Sequence, residues 1–181
     1  MRRLIPCLLP VLALTACNAG GPDPALVEGI TEGTAAAGTI LVAPRIDGAA
    51  PRSFLFHARD NSLTLDYGQG FRPTLTLRAA RSGDLCAHRE PDWDRCEKVD
   101  EDAVRLSFEE MDAVVVRRDG TELFWNNLSF ELPDEDYASH DDLVAAINAK
   151  VDTYVDASRH AERLSVDDFL AQVPKGKIEV S

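Results

Sequence analysis

Histidine is the side chain best suited to general acid–base chemistry near neutral pH, and the chain has four. A predicted hairpin over residues 53–67 sets His57 diagonally opposite Asp66 on a polar face, and a carboxylate beside an imidazole can poise it as a base. No nucleophile is identifiable beside this pair, and the chain has neither a Gly-x-Ser-x-Gly elbow nor a Ser-x-x-Lys box. A solvated surface histidine is therefore the favoured interpretation, and no catalytic residue is predicted.

Metal binding has little support in the sequence. Carboxylates cluster over residues 90–94 and 134–142, but a calcium site needs roughly six to eight oxygens in a fixed geometry. Cys86, His88 and Cys96 follow no zinc spacing, and no glycine-rich phosphate loop occurs. We therefore expect neither a metal nor a cofactor.

The first seventeen residues have the layout of an export signal. Arg2 and Arg3 precede a short apolar stretch that ends in small residues, which is typical of a secretory signal peptide rather than of a membrane span. The end of that stretch, Leu14-Thr15-Ala16-Cys17, resembles the lipobox of bacterial lipoproteins. The resemblance implies cleavage before Cys17 and attachment of a diacylglyceryl group to its thiol. The alternative is an ordinary secreted protein with a chance cysteine.

A domain plan and a location follow from this resemblance. It implies a signal peptide over residues 1–16, a lipidated cysteine and flexible tether over 17–38, and one globular envelope domain over 39–181. The protein is expected outside the cytoplasm, held on the cell membrane or the outer membrane by acyl chains such as palmitate. The expected partners are the membrane, through the anchor, and an envelope protein.

The tether is predicted from composition. Residues 18–38 are rich in glycine, alanine and proline, as flexible segments are. Leu26, Val27 and Ile30 nevertheless fit a turn of helix or a contact with the domain.

Charge excludes one class of partner. The formal net charge is −12, whereas a nucleic-acid-binding protein needs a surface rich in lysine and arginine. Nucleic acid is therefore not an expected partner.

The loop between Cys86 and Cys96 is the segment that best fits a binding role. In an oxidising compartment this even pair is predicted to form a disulfide. The closed loop would display Trp93 between Arg89 and Arg95, and these residue types on a preorganised loop are typical binding anchors. The competing interpretation, which is favoured, is that Trp93 folds back onto the core and the bond fastens a long connection.

The fold that would position these residues is predicted to be α+β. Alternating apolar and polar residues indicate about eight short strands, at 39–43, 53–58, 62–67 and 74–79 and in a four-stranded meander over 104–132. Ser139 is a good N-cap for an amphipathic helix, and Ser165 for a shorter one before a closing strand at 178–180. The prediction is an antiparallel sheet with the C-terminal amphipathic helix packed on it.

Two-residue turns fix the predicted registers. They are placed at Asp60-Asn61, Asp119-Gly120 and Asn126-Asn127, because aspartate, asparagine and glycine tolerate positive φ. Each register gives a hairpin one wholly apolar face, and the second register also sets Arg117 opposite Glu122.

Three functions fit this sequence. The preferred one is a non-catalytic interaction or binding module, tethered to the membrane in the cell envelope. The second is a carrier of a small apolar ligand, because the order of elements is loosely similar to that of lipocalins, which close their strands into a barrel. The third is an envelope hydrolase, which requires a cleft that brings a histidine together with an acid and a hydroxyl group.

Overall fold

The computed structural model describes residues 22–68, 73–88, 93–108, 111–128, 138–173 and 175–179. Three helices lie in these segments: α1 (Pro24–Ala37), α2 (His140–His160) and α3 (Val166–Gln172). The strands are β1 (Ser53–His57), β2 (Ser62–Asp66), β3 (Thr74–Ala79), β4 (Arg95–Lys98), β5 (Ala103–Phe108), β6 (Met111–Arg118), β7 (Thr121–Leu128) and β8 (Gly176–Glu179). A short 3₁₀ helix, Leu85–His88, precedes β4.

The described strands form one sheet in the order β4-β5-β6-β7-β3-β2-β1-β8. Neighbouring strands are antiparallel except β1 and β8, which are parallel. The predicted α+β class and the largely antiparallel sheet are therefore confirmed. Strands β4 and β8 are the two edges, so the described strands form an open sheet and not the closed barrel that the carrier hypothesis requires.

The helices cover one face of this sheet. Their buried side chains meet those of the central strands in the main core, which includes Ile30, Phe54, Phe56, Leu65, Leu77, Leu123, Trp125, Val151, Val155 and Phe169. Trp125 donates its Nε1–H to Ser158 Oγ of α2 at 2.8 Å, so the one polar atom of this ring is satisfied inside the core. Both predicted N-caps are confirmed, because Ser139 and Ser165 accept bonds from backbone N–H groups in the first turns of α2 and α3.

The other face of the sheet carries a smaller core over β4 to β7. Six buried residues form it: Trp93, Val104, Leu106, Ala113, Val115 and Phe124. Leu85 and the disulfide-bonded Cys86 and Cys96 are partly buried and pack against this core. Two separate cores therefore bury apolar surface on both sides of the same strands.

The hairpin of β1 and β2 has a different register from the prediction. Phe56 pairs with Leu63 and His57 with Ser62, so four residues rather than two connect the strands. The register moves by two residues, and because side chains alternate with a period of two, every residue keeps its predicted face. Phe54 and Phe56 are accordingly buried in the main core.

The turn predicted at Asn126-Asn127 is wrong. Strand β7 runs through both residues to Leu128, and its register against β6 shifts between Asp112 and Val114. Two residues of β7 there oppose one residue of β6, which is a β-bulge, and Asn127 has a φ of 56°. Asparagine tolerates that conformation in a bulge as well as in a turn. The last predicted strand, from 129 onward, lies outside the described residues.

The turn at Asp119-Gly120 is confirmed. Both residues have positive φ, and Arg118 pairs with Thr121 across them. The predicted opposition of Arg117 and Glu122 is confirmed in the same ladder.

The prediction of a flexible tether is wrong for residues 24–37, which form α1. Asp23 accepts a hydrogen bond from the Ala25 N–H and caps the helix, and Pro24 occupies its first turn. Ile30 is fully buried, and a Cβ placed on Gly33 would lie 2.3 Å from Phe56 Cζ. Glycine is there because it allows the helix to approach the sheet closely, not because the segment is loose.

The strand predicted at 39–43 is also wrong. This segment makes one isolated bridge, between Leu41 and Leu164, and belongs to no strand of the sheet. Ile40 and Val42 are buried in the main core, so the apolar residues are explained by packing rather than by sheet pairing.

Candidate functional site

The structure brings Cys86 and Cys96 together in a disulfide, as predicted. It does not expose Trp93, which is 7% accessible and packs against the Phe124 ring in a T-shaped arrangement. The candidate role of Trp93 as an exposed binding anchor is therefore wrong. The loop buries the indole because the strands beneath it carry an apolar surface that needs a cover.

The other predicted site residues are not gathered around Trp93. Arg95 is exposed on the edge strand β4, where it pairs with Ser107. Arg89 and Cys17 lie outside the described residues. The described part of the loop therefore presents no cluster of aromatic and arginine side chains to a partner.

His57 has two partners that the sequence did not reveal. Its Nδ1 lies 3.0 Å from Glu179 Oε2 on β8, and its Nε2 lies 3.3 Å from Thr64 Oγ1 on β2. Thr64 Oγ1 lies 3.1 Å from Thr76 Oγ1 on β3. A chain of polar side chains thus crosses four neighbouring strands, with His57 between a carboxylate and a hydroxyl group.

These hydrogen-bonded polar side chains lie on a part of the sheet that neither the helices nor the small core covers. We call it the open half-face: the outward side chains of β8, β1, β2 and β3. It comprises Leu55, His57, Thr64, Asp66, Thr74, Thr76, Arg78, Lys177 and Glu179. All nine side chains are partly or fully exposed, and eight of them are polar.

The buried carboxylate of Glu122 lies at one edge of the open half-face. Glu122 on β7 is 2% exposed and makes ion pairs with Arg78 at 3.2 Å and with Arg117 at 3.3 Å. It also accepts a hydrogen bond from the Arg81 backbone N–H, and the guanidinium of Arg78 lies 4.9 Å from the centre of the Phe124 ring. These contacts compensate the cost of burying the charge and hold Arg78 in place beside the threonines.

A groove lies at the other end of the open half-face, where it crosses β1 between the neighbouring strands β8 and β2. It has a volume of about 480 Å³ and is lined by Leu55, Thr64, Asp66 and Lys177 from the half-face, together with Ser53 and Lys175. This volume is within the usual range for small-ligand sites, which is about 300–1,000 Å³. The described residues contain no group of three or more histidine, cysteine or acidic side chains that could hold a metal ion.

The order Glu179, His57, Thr64 is that of an acid, a base and a hydroxyl nucleophile. Thr64, however, lies inside a strand that is paired on both sides, so the neighbouring ladder N–H groups are already engaged. An acyl-transfer site needs donors aimed at the developing oxyanion. The geometry therefore fits recognition of a ligand better than covalent catalysis.

The predicted partner of His57, Asp66, is not its neighbour. In the observed register Asp66 pairs with Ser53, and its carboxylate accepts a hydrogen bond from the Gly68 N–H. Glu179 takes its place because β8 adds to the sheet in parallel beside β1. The polar alternation of Lys177 and Glu179 was the one available signal that this strand extends the half-face.

Comparison of the chain with protein-family models, with curated proteins and with solved structures found no match. Any functional assignment therefore depends on the residues themselves. In the part of the chain that the structure describes, no helix is both long enough and apolar enough to cross a membrane.

Proposed function

We propose that this chain is a lipid-anchored, extracytoplasmic binding module that recognises its ligand or partner with the open half-face. The observation that carries the proposal is the contrast between the two halves of the outer sheet face. Over β4 to β7 the sheet is covered by Trp93 with Leu85 and the two disulfide-bonded cysteines, whereas the outward side chains of β3, β2, β1 and β8 are partly or fully exposed.

The open half-face is prepared for binding in two ways. Its side chains supply donors, acceptors and both charges within one continuous surface. Several of them are already held by each other, as in the contacts of His57 with Glu179 and Thr64. Side chains fixed before a ligand arrives lose less conformational entropy on binding, which is why such a surface is suited to recognition.

The lipid anchor is proposed from the resemblance of Leu14-Thr15-Ala16-Cys17 to a lipobox. Because the helix α1 begins at Pro24 and is docked on the sheet, only a short connection separates Cys17 from the domain. Six residues span at most about 20 Å when fully extended. An anchored Cys17 would therefore hold the domain close to the membrane surface.

The anchor is tested by expressing the full-length chain and its Cys17→Ser variant in a bacterial host that processes lipoproteins. We expect the wild-type protein in the membrane fraction, with a mass equal to the chain from Cys17 plus acyl groups. The variant should lose both the acyl mass and the membrane association. An unacylated wild-type protein would contradict the proposed anchor.

The binding surface is tested by site-specific photo-cross-linking in those cells. A photoreactive phenylalanine analogue replaces Thr76 on the open half-face or, as the control, Asp152, which is exposed on α2. We expect a defined cross-linked product from position 76 and none from position 152. The same product from both positions would contradict the assignment of the surface.

The contacts of His57 favour a second candidate function, an envelope hydrolase. In that case the Thr64 hydroxyl would attack an ester carbonyl while His57 took up its proton and Glu179 stabilised the imidazolium. His57 would return the proton to the alcohol as its bond to the carbonyl carbon breaks, and water would then hydrolyse the threonine ester. Hydrolysis of p-nitrophenyl acetate tests it. Turnover that is lost in both His57→Ala and Thr64→Val would favour the hydrolase, whereas a rate unchanged by either substitution would exclude this site.

A further inference from the structure

The groove between β8 and β2 has a charge that differs from that of the whole chain. The chain has a net charge of −12, but Lys175 and Lys177 both line this groove. Both lysines are exposed, and neither has an ion-pair partner among the described residues. The other two lysines have partners, since Lys98 pairs with Asp84 at 3.0 Å and Lys150 is engaged as well.

Two ammonium groups without an ion-pair partner among the described residues attract anions locally. Lys177 lies on β8, Lys175 directly precedes that strand, and both line the groove. The acidic excess of the whole chain repels anions in general, so a pair of lysines is a local exception to it.

The opposite wall of the groove selects for hydroxyl groups. Asp66 uses its carboxylate for one backbone N–H, and an ionised carboxylate has lone pairs for further donors. Ser53 adds a hydroxyl group, and Leu55 provides a small apolar patch between the polar walls. A ligand that fits has an anionic group at one end and several hydroxyl groups at the other.

We infer that this groove binds an acidic sugar, a small polyhydroxylated molecule that bears a carboxylate or a phosphate. The inference rests on the proposed function, because it names the ligand class of the same open half-face. The anionic group lies between Lys175 and Lys177, and the hydroxyl groups donate to Asp66. The sugar is either free or the exposed residue of an envelope polysaccharide, since both present the same chemistry.

The test is isothermal titration of the purified full-length protein, in detergent, with glucuronate, glucose 6-phosphate and the neutral sugar glucose. Two double variants are compared: Lys175→Gln with Lys177→Gln, and Lys98→Gln with Lys150→Gln as the control. Each removes two of the four lysines, so the net charge of both variants is the same. Circular dichroism checks that each variant keeps the wild-type fold.

We expect wild type and control to bind both acidic sugars and not glucose. We expect the groove variant to bind them at least about tenfold more weakly, as for loss of charge-assisted hydrogen bonds. Equal weakening in both double variants would overturn the inference, because it would show a non-specific charge effect. If wild type binds neither acidic sugar while position 76 still gives its cross-linked product, the inference fails and the proposed function stands. Loss of binding and of cross-linking together would overturn both the inference and the proposed function.

Titration of a capsule-type polyuronate separates the two sources of the sugar, because tighter binding than to glucuronate indicates a polysaccharide end.

Discussion

Trp93 meets Phe124 edge to face, with ring centroids 6.4 Å apart and planes at 84°. The first residue belongs to the disulfide-bonded segment and the second to the central strand β7. Their contact holds Trp93 on the outer face of the sheet, and the small core ends at Phe124. Beyond Phe124 on this face lies Thr76, which begins the polar surface. The pair therefore marks the boundary between the covered and the open half of the sheet.

Replacing Trp93 by alanine is expected to destabilise the fold. The indole is buried against five other apolar residues, and large-to-small changes of this kind cost about 3–5 kcal/mol. Urea unfolding of wild type and Trp93→Ala measures the difference. The matched control is Arg95→Ala, an exposed side chain near the same end of the segment, which should cost less than about 0.5 kcal/mol. Equal effects of the two substitutions would contradict the packing described here.

Neutralising Glu122 is expected to leave two arginines without their shared carboxylate. Because Glu122 is 2% exposed and ion-paired to Arg78 and Arg117, Glu122→Gln should lower the free energy of unfolding by about 3 kcal/mol. Glu97→Gln is the control, since Glu97 is 63% exposed and lies 4.0 Å from Arg105. Chemical denaturation should show almost no change for it. A stable Glu122→Gln protein would refute a structural role for this cluster.

The stability of the protein should fall in strong alkali. Burial, and then the proximity of Tyr154, raise the pKa of the Tyr67 phenol well above its ordinary value of 10.0. The unfolded chain ionises this phenol near its ordinary pKa while the folded chain does not, so stability is full below about pH 10 and decreases as the pH rises further. Thermal unfolding as a function of pH measures this loss.

Tyr67→Phe provides the control for that profile. It removes the hydrogen bond from the Tyr67 hydroxyl to the Pro44 carbonyl, at a cost of about 1 kcal/mol at neutral pH. It also removes the part of the alkaline loss that comes from Tyr67, so the two melting temperatures should converge as the pH rises above 10.0. Burial also raises the pKa of the Tyr154 phenol, so a smaller alkaline loss remains in the variant. Parallel profiles would show that Tyr67 is not the group responsible.

The ion pairs of Arg159 should stabilise the protein at neutral pH and cease to do so in acid. The hydrogen bond that Arg159 donates to the Asp100 carboxylate, and then the hydrogen bond with Asp102, hold the pKa of Asp100 below its ordinary value of 3.8. A lowered folded-state pKa gives stability that is present above the unfolded-state value and is lost as the pH falls through the folded-state value.

Arg159→Gln is therefore expected to cost about 1 kcal/mol or less at neutral pH, because these side chains are partly exposed. The difference from wild type should vanish well below pH 3.8, once the carboxyl is protonated in the folded state as well as in the unfolded state. Calorimetric scans of both proteins at neutral pH and in strong acid measure this difference in stability. A difference that persists unchanged in acid would show that Arg159 acts by packing and not by charge.

Local patterns predicted the faces of the hairpins better than their registers. Phe54 and Phe56 are buried as expected although their partners differ, since a shift of two residues leaves each side chain on its own side. Arg117 opposite Glu122 was predictable because the Asp119-Gly120 turn leaves a single register. Asn127 was misassigned because a bulge and a turn need the same backbone conformation.

The candidate site could not be predicted from the sequence, for a different reason. His57 and Glu179 lie at opposite ends of the domain's sequence and meet only because β8 returns to pair with β1. Such pairing depends on the helices between them and leaves no local signal. Alternation could show that both residues face away from the core, but it could not show that they are neighbours.

A native mass spectrum of the protein, extracted with mild detergent from its own membranes, tests the lipid anchor and the binding surface together. We expect a chain that begins at an acylated Cys17, contains the Cys86–Cys96 disulfide and carries a bound species. That species should be absent from the Thr76→Arg variant, which places a bulky cation on the open half-face, and present in the control Asp152→Arg. A wild-type chain without acyl groups would contradict the proposed anchor, and a bound species that persists in Thr76→Arg would contradict the proposed binding surface.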